Sequence, residues 1–466
     1  MPVFDLKLTH LSASHPFTRQ LPLFNWHYPF DAPTVSVPDP LLPLTGPRAS
    51  QRRSLYFHIP FCETICSFCP FRRELYHSAS DLSLYVDTLL QEIALKSSYL
   101  GRCAVDAIFV GGGSPSILTP EQIRSLGRAI NDHFDLATLA EFTFEIEVKS
   151  VTREKLSAMK DIGVNRISFG AQTFLPRYRD LFGLSATVEQ IFLAAALIRE
   201  MFPYVNVDML YGMAGQSLEE LARDVYSICS LNTTTIDFYP INNFAAPPVF
   251  HKQIREAGLP YLSATVRHQY RVKIHDIMSR YGHVPISGYC YSLEGAGLTY
   301  HGSPIQHNPK FLYHDMVYGH HDDEILGYGA AAISQLPGYN LYNSPDLHTY
   351  AEAIGHDRLC HQAFATSDCP ERGIVLFPYR GEVEKLKILW DKIPRETADA
   401  FVSALERGLI LEHPDRYVLS PLGWLYYVDL MYYLMPTAGK QWLTNVIEMR
   451  TAAGRTCGDT ELVSLR

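Results

Sequence analysis

The chain has 466 residues, 40 Lys plus Arg against 49 Asp plus Glu and a formal charge of −9, with 47% hydrophobic and 19% charged residues. Such a composition excludes a disordered chain, and the length suits two or three globular domains. The acidic balance supplies no basic footprint for nucleic acid, so no nucleic-acid partner is expected.

Residues 1–53 carry many prolines, among them Pro33, Pro38, Pro40, Pro43 and Pro47, and little periodicity. They read as an extended N-terminal arm that covers another part of the molecule. From Ser54 short β-rich runs alternate with amphipathic helix-length stretches, which signals βα units around a parallel sheet. The strands are expected at Leu55 to Ile59, Ala107 to Val110, Glu141 to Val148, Arg166 to Phe169, Val205 to Leu210 and Thr235 to Tyr239. Helices are expected near Leu82 to Ser98, from Thr119-Pro-Glu-Gln122, from Thr152 to Gly163, from Thr187 to Phe202 and over Leu218 to Cys229. Thr119 with Gln122 and Ser217 with Glu220 have the spacing of capping boxes.

Six such units are too few for an eight-fold barrel. The fold class is therefore α/β, a partial (βα)6 barrel over residues 54–285 with its active face at the carboxyl ends of the strands. Residues 286–390, rich in Gly, Tyr, His and Asn in their first part, read as a bridging and substrate-cavity segment lying across an opening. Residues 391–466 read as a small winged-helix-like C-terminal α/β cap: a helix through Ala400 and Leu405, a hairpin turning at His413-Pro-Asp415, and another helix. The longest apolar stretches, Ile191 to Ile198 and Gly423 to Met435 with Asp429 inside it, fall short of the ~20 residues that cross a bilayer. Neither a transmembrane helix nor a membrane partner is expected. The N-terminus lacks the basic-then-apolar order of a secretory signal, so the expected location is cytoplasmic and the nine cysteines are read as thiols or metal ligands.

Three of those cysteines fall on one loop, as Cys62-x3-Cys66-x2-Cys69, directly after the first strand. Three thiolates can hold three irons of a cubane and leave the fourth open, whereas structural zinc takes four ligands and catalytic zinc favours sets with histidine. Elsewhere the glycine run Gly111-Gly112-Gly113-Ser114-Pro115 follows the second strand, and Glu145, Gln172 and Asp208 lie toward the carboxyl ends of the third, fourth and fifth.

Those motifs resemble the radical S-adenosylmethionine (radical SAM) superfamily, and the wording Tyr56-x-His58-Ile59-Pro60-Phe61-Cys62 is similar to its oxygen-independent coproporphyrinogen III oxidase-like (HemN-like) branch. The resemblance implies that Cys62, Cys66 and Cys69 ligate a [4Fe-4S] cluster whose open iron takes the amino and carboxylate groups of S-adenosylmethionine. It further implies cofactor contacts from Tyr56, from Phe68 near the adenine, and from Gly112, Gly113 and Ser114 around the methionyl amino group. Glu145 would meet charged groups of the cofactor, Gln172 would touch it, and Asp208 would hold the ribose hydroxyls. An electron donor such as flavodoxin or ferredoxin is implied as a partner.

Two departures from the branch stand out. Phe71 occupies the place of a further cysteine, and the arginine expected near Leu184 is absent there, with Arg177 and Arg179 close by. These differences direct the expectation toward a class C radical SAM methyltransferase or an anaerobic haem-degrading type. Such an enzyme would use two S-adenosylmethionine molecules to methylate an unsaturated carbon of haem or of a natural-product scaffold. The alternatives are oxidative decarboxylation of a porphyrinogen propionate and haem trafficking as a chaperone. No individual catalytic residue is assigned.

Weaker signals have plain readings. Cys360 with His361, and Cys369, read as ordinary thiols rather than a second metal site. His320-His-Asp-Asp-Glu324 reads as a solvated loop, Gly288-Tyr-Cys290-Tyr-Ser292 is divided evenly between cavity lining and strand packing, and Tyr426, Tyr427, Tyr432 and Tyr433 read as a packing face.

Overall fold

The computed structural model describes residues 16–17, 21, 28, 35–46, 52–243, 245–293, 299–300, 303–304, 311–366 and 369–452. Six strands, β1 (Arg52–Ile59), β2 (Ala107–Gly112), β3 (Glu141–Ile146), β4 (Arg166–Gln172), β5 (Tyr204–Tyr211) and β6 (Thr235–Pro240), pair in chain order and all parallel. Between or after them run α1 (Ala79–Leu100), α2 (Pro120–His133), α3 (Arg153–Asp161), α4 (Val188–Met201), α5 (Leu218–Cys229) and α6 (Ala264–Arg280). Capping boxes close the starts of α2, α4 and α5 through Thr119 with Gln122, Thr187 with Gln190 and Ser217 with Glu220.

The strands read differently on their two faces. Leu55, Phe57 and Ile59 of β1, Ile108 and Val110 of β2, and Phe142 and Phe144 of β3 belong to one continuous apolar core. The alternate positions form registered rows on the other face. One row is Tyr56, Phe109, Thr143 and Arg166. The next is His58, Gly111, Glu145, Ser168, Asn206 and Thr235, and above it come Gly170, Asp208 and Asp237. Because successive side chains point to opposite faces, the polar residues collect inside the barrel while the apolar ones pack beneath the helices.

The bridging segment does more than lie across an opening. It extends the sheet on both sides, by β8 (Cys290–Leu293), which lies antiparallel between β6 and the preceding β7 (His283–Pro285), and by β9 (Asp323–Tyr328), parallel to β1. Three further strands, β10 (Ile333–Leu336), β11 (Tyr339–Asn343) and β12 (His361–Ala365), continue from β9, and Val35–Ser36 of the arm adds to β12 at the edge.

This placement overturns the solvated-loop reading of residues 320–324. His320, Asp323 and Glu324 are buried. Arg52 reaches Asp323 at 2.6 Å and Arg53 reaches Glu324 at 2.6 Å, so the acidic run is the start of a strand whose charges are matched by two arginines at the start of β1. The partners lie 271 residues away in the chain, too far for a local pattern to show.

The C-terminal cap has the expected helix, hairpin and helix, as Arg395–Glu406, Ile410–Glu412 with Arg416–Leu419, and Pro421–Leu425 followed by Tyr427–Leu434. Its sheet takes a third strand, Glu382–Glu384, from the segment before residue 391. Tyr426, Tyr427 and Tyr432 are buried as a packing face. Within the arm, Phe17 is buried against Tyr426 and Tyr433, and the Leu21 N–H donates to Asp429 at 2.8 Å. Pro33, Pro47 and Cys457 lie outside the described residues. Among the described residues no helix is long and apolar enough to cross a membrane.

Asp224 on α5 holds the turn after β4, accepting from the Phe174 N–H and the Thr173 hydroxyl at 2.7 Å each. Burial pushes its carboxyl up to about 7, against those two hydrogen bonds. Its proton is therefore retained in the fold above the ordinary carboxylate pKa and released on unfolding. Stability should fall as pH rises from about 4 to about 7 and level off above. Thermal melts of the wild type and of Asp224→Asn across that range check this: the wild type should lose stability relative to the variant as pH rises.

Candidate active site

The cysteine loop leaves β1 at its carboxyl end. Tyr76 N–H donates to the Cys62 carbonyl at 2.9 Å and Glu74 N–H to the Pro60 carbonyl at 2.7 Å, so the loop closes on itself across Phe61–Cys62 and Glu74–Leu75. Arg73 pins its interior, reaching the carbonyls of Phe71 at 2.7 Å and Cys66 at 3.3 Å. Cys62 is buried, and Cys66 and Cys69 are half-buried. Burial raises all three thiols, Cys66 to about 12, with the other two sulfurs adding to the rise and Arg73 opposing it.

The glycine run is packed against this loop. Gly113 N–H donates to the Ile59 carbonyl and Ser114 N–H to the Phe61 carbonyl, both at 2.8 Å. A β-carbon at Gly113 would lie 2.6 Å from the Phe61 carbonyl oxygen, and Gly112 has a φ of +115° with His58 Nδ1 only 2.6 Å from where its β-carbon would be. Glycine is thus required for the loop itself to approach β2. Gly113→Val should displace the loop, and reconstituted variant protein should then hold at most about a tenth of the wild-type iron, a 10- to 100-fold effect being usual for lost support around a metal site; iron and sulfide analysis checks it.

Glu145 Oε2 accepts from the Gly112 N–H at 3.2 Å, and burial pushes its carboxyl up to about 7 with that hydrogen bond opposing. Asp208 accepts from Asn206 Nδ2 at 3.0 Å, and the same amide reaches Asp237 at 3.3 Å. Burial, then Asp237 and Glu145, holds Asp208 well above the carboxylate range. Asp237 is raised by burial and receives the Tyr239 hydroxyl at 3.1 Å. Tyr56 donates to or accepts from His58 Nδ1 at 2.8 Å; burial drives His58 down to about 4, so its imidazole is neutral, and leaves Nε2 without a partner.

Gln172 ends β4 with a φ of +66° at a register shift from Gly170. A non-glycine residue in that region stores strain of order 1–3 kcal/mol and is found where the backbone re-aims a side chain at a site. Phe68 packs edge-on against Phe182 at 5.3 Å. Of the two arginines near the expected position, Arg177 is a surface partner of Glu220, whereas Arg179 is buried and holds the carbonyls of Ala171, Thr173 and Ala186. Phe71 is exposed.

The structure therefore gathers Cys62, Cys66, Cys69, Gly112, Gly113, Ser114, Glu145, Gln172 and Asp208 around the carboxyl ends of β1 to β5, with Tyr56 one row deeper. Sequence reasoning missed Asp237 and Arg166. Both alternate with apolar residues in Thr235-Ile-Asp237-Phe-Tyr239 and Arg166-Ile-Ser-Phe, and the period-two pattern that exposes them was available. It also missed the short helix Leu312–Val317, whose first N–H groups donate to Glu141 at 2.9 and 3.1 Å and which seats Tyr313 on Phe109 at 4.6 Å. Cys360 and Cys369 approach the Thr349 carbonyl and the Glu371 carboxylate. Among the described residues no three His, Cys, Asp or Glu converge as ligands of a single ion. A cubane asks less convergence of its ligands, since each thiolate takes a different iron, and an all-sulfur set of one buried and two half-buried thiols beside the unpartnered Arg73 Nε and His58 Nε2 fits that group.

Residues 56–225 match the family model for the radical SAM superfamily. The chain carries a radical SAM domain. Domains of this superfamily use a [4Fe-4S] cluster and S-adenosylmethionine, and the chain is a radical SAM enzyme. It is 28% identical over 318 residues to an oxygen-independent coproporphyrinogen III oxidase of Bradyrhizobium diazoefficiens, covering 67% of this chain and 68% of the relative. It is 27% identical over 381 residues to the haem chaperone HemW of Bacillus subtilis, covering 80% of this chain and 96% of that one. The solved structure of coproporphyrinogen III oxidase (HemN) from Escherichia coli superposes with a TM-score of 0.69 at 21% identity, over 92% of this chain and 98% of that chain. The radical SAM partial barrel is thus the fold expected from the six βα units.

The relatives also overturn one expectation. Coproporphyrinogen oxidases and haem chaperones are what the chain resembles in sequence, and methyl transfer finds no support among them. The inference had rested on Phe71 and on the arginine missing near Leu184. Phe71 is an exposed side chain, and buried Arg179 stands five residues before the vacant place.

Proposed function

We propose that this radical SAM enzyme carries out the oxidative decarboxylation of porphyrinogen propionate side chains. The observation that carries the reading is the placement of three thiols on one loop and a row of desolvated acids around one barrel mouth, in a chain most of whose similar relatives cited above are coproporphyrinogen III oxidases.

Cys62, Cys66 and Cys69 would hold the cluster, and Gly112, Gly113, Ser114, Glu145, Gln172 and Asp208, with Tyr56 and Phe68, would hold S-adenosylmethionine. When bound, these groups supply a carbon-centred radical able to take a hydrogen atom from the propionate carbon next to the ring; loss of carbon dioxide and one electron then leaves a vinyl group. The chain's own part is positional. Glu145 and Asp208 are raised enough to donate or accept hydrogen bonds without placing two full negative charges in the barrel. Neutral His58, held by Tyr56, offers a hydrogen bond without charge. The helix Leu312–Val317, held by Glu141 and packed on Phe109 inside the barrel, would help keep water from a radical. An electron donor of the flavodoxin or ferredoxin type would reduce the cluster, and a one-electron acceptor would take the electron released.

Anaerobic incubation of reduced, reconstituted protein with coproporphyrinogen III and S-adenosylmethionine, followed by chromatography of the oxidised porphyrins, tests the reading. Products carrying one and two vinyl groups are expected. Tight haem binding with no porphyrinogen turnover would instead favour a chaperone.

A further inference from the structure

Below the acid row the inner face of the barrel leaves a small cavity lined by Ile286, Ser287, Cys290, Phe311, His314, Asp315, Tyr379 and Arg380. It adjoins that row directly, because Cys290 of β8 pairs across the sheet with Asp237 of β6. The helix Arg372–Arg380 forms its side wall: the Gly288 N–H donates to the Tyr379 carbonyl at 2.6 Å, and the Tyr379 ring packs at a tilt against Tyr318 at 4.0 Å and Tyr289 at 4.9 Å.

Arg380 is the anomalous group. Its side chain is 6% exposed, its Nη1 meets His320 Nε2 at 3.2 Å, its Nη2 donates to the Gly373 carbonyl at 3.0 Å, and its Nε has no partner. Among the described residues it forms no ion pair with a carboxylate. The acids near it are already engaged: Asp315 and Asp323 both bind Arg52, at 2.8 and 2.6 Å, and Glu382 binds Arg416 at 3.2 Å. His320 is kept neutral, driven down to about 2 by burial and by Arg380 and Arg52, so it accepts from Arg380 without cancelling its charge. Arg372 nearby spends its donors on the carbonyls of Tyr28, His320 and Val317 and on Gln335. Four guanidiniums, of Arg52, Arg372, Arg380 and Arg416, therefore share three carboxylates, of Asp315, Asp323 and Glu382, and a buried cation persists only when something pairs with it.

We propose that Arg380 receives one carboxylate side arm of the substrate in this cavity, with its free Nε–H as donor. The inference rests on the tetrapyrrole reading above and names how such a substrate is anchored. A molecule with four carboxylate arms presents more than the reaction consumes, and an arm held below the acid row would fix the ring's register relative to the barrel mouth. Guanidinium suits the task because its planar donors match a carboxylate.

The test is equilibrium binding to the full chain of coproporphyrin III, which keeps the four carboxylates but is not a substrate, beside its tetra-amide, which keeps the ring and arm lengths without charge. The wild type should bind the acid more tightly than the amide. Arg380→Gln should weaken acid binding about 10- to 100-fold, as expected for a lost hydrogen bond to a charged group, and leave amide binding unchanged. Arg380→Lys should keep part of the preference. Equal loss for acid and amide, or no loss for either, would overturn the proposal. Because Arg380→Gln can fail to fold, the wild type carries a test of its own: no preference for acid over amide rules the anchor out while the tetrapyrrole reading stands. Binding of neither probe rules out both.

Discussion

Cys62→Ala protein, reconstituted with iron and sulfide, should bind at most a small fraction of the wild-type iron and cleave S-adenosylmethionine at a rate lower by at least about a thousandfold. Only three thiols stand on the loop, so losing one leaves two irons of a cubane without protein ligands. The loop is not held by Cys62 alone. Arg73 and the paired strands Phe61–Cys62 and Glu74–Leu75 close it independently of the sulfur, so the variant should fold like the wild type by circular dichroism. Cleavage at the wild-type rate by the variant would contradict the assignment of all three cysteines. Electron paramagnetic resonance of the dithionite-reduced protein reads the same loss directly.

The second large effect concerns stability. Arg166 is 1% exposed, donates to Glu141 at 3.2 Å and to Thr235 Oγ1 at 3.3 Å, and lies over the Phe311 ring at 4.5 Å. Glu141 is itself buried and accepts the first two N–H groups of Leu312–Val317. Removing the cation alone leaves a buried carboxylate with two backbone N–H donors and no counter-charge, a loss of about 3–5 kcal/mol by the usual cost of breaking such a pair. Arg166→Met should lower the urea midpoint accordingly. The double variant Arg166→Met with Glu141→Gln should recover part of the loss, because no uncompensated charge remains. If the single and double variants were equally destabilised, the pair would not be what holds Leu312–Val317 in place.

Much of the fold could be read from local pattern. The capping boxes of α2 and α5 and the β-rich runs located the six units within a few residues, since both signals depend on neighbours two to four positions apart. The ends of strands were harder. Glu141 to Val148 was expected as one strand, yet β3 stops at Ile146 and a short 3-10 turn follows from Val148. β4 runs on past Phe169 to Gln172 through a bulge, because the parallel neighbour β5 continues to pair there. The cofactor motifs were legible for a similar reason: thiols and glycines at fixed spacing are required by a loop that wraps one group. The arginine cluster beside the cavity was not legible. Arg52 is more than 300 residues away from Arg372 and Arg380, and only the addition of β9 beside β1 brings His320 and Asp323 between them.

The measurement that tests the central claim most directly follows coproporphyrinogen III labelled with carbon-13 in its propionate carboxyls, turned over anaerobically by the reduced enzyme with S-adenosylmethionine. The account predicts labelled carbon dioxide in step with 5′-deoxyadenosine, and a porphyrin product carrying vinyl groups and no added methyl. Deoxyadenosine formed without labelled carbon dioxide, or a methylated product that keeps all its labelled carboxyls, would contradict it.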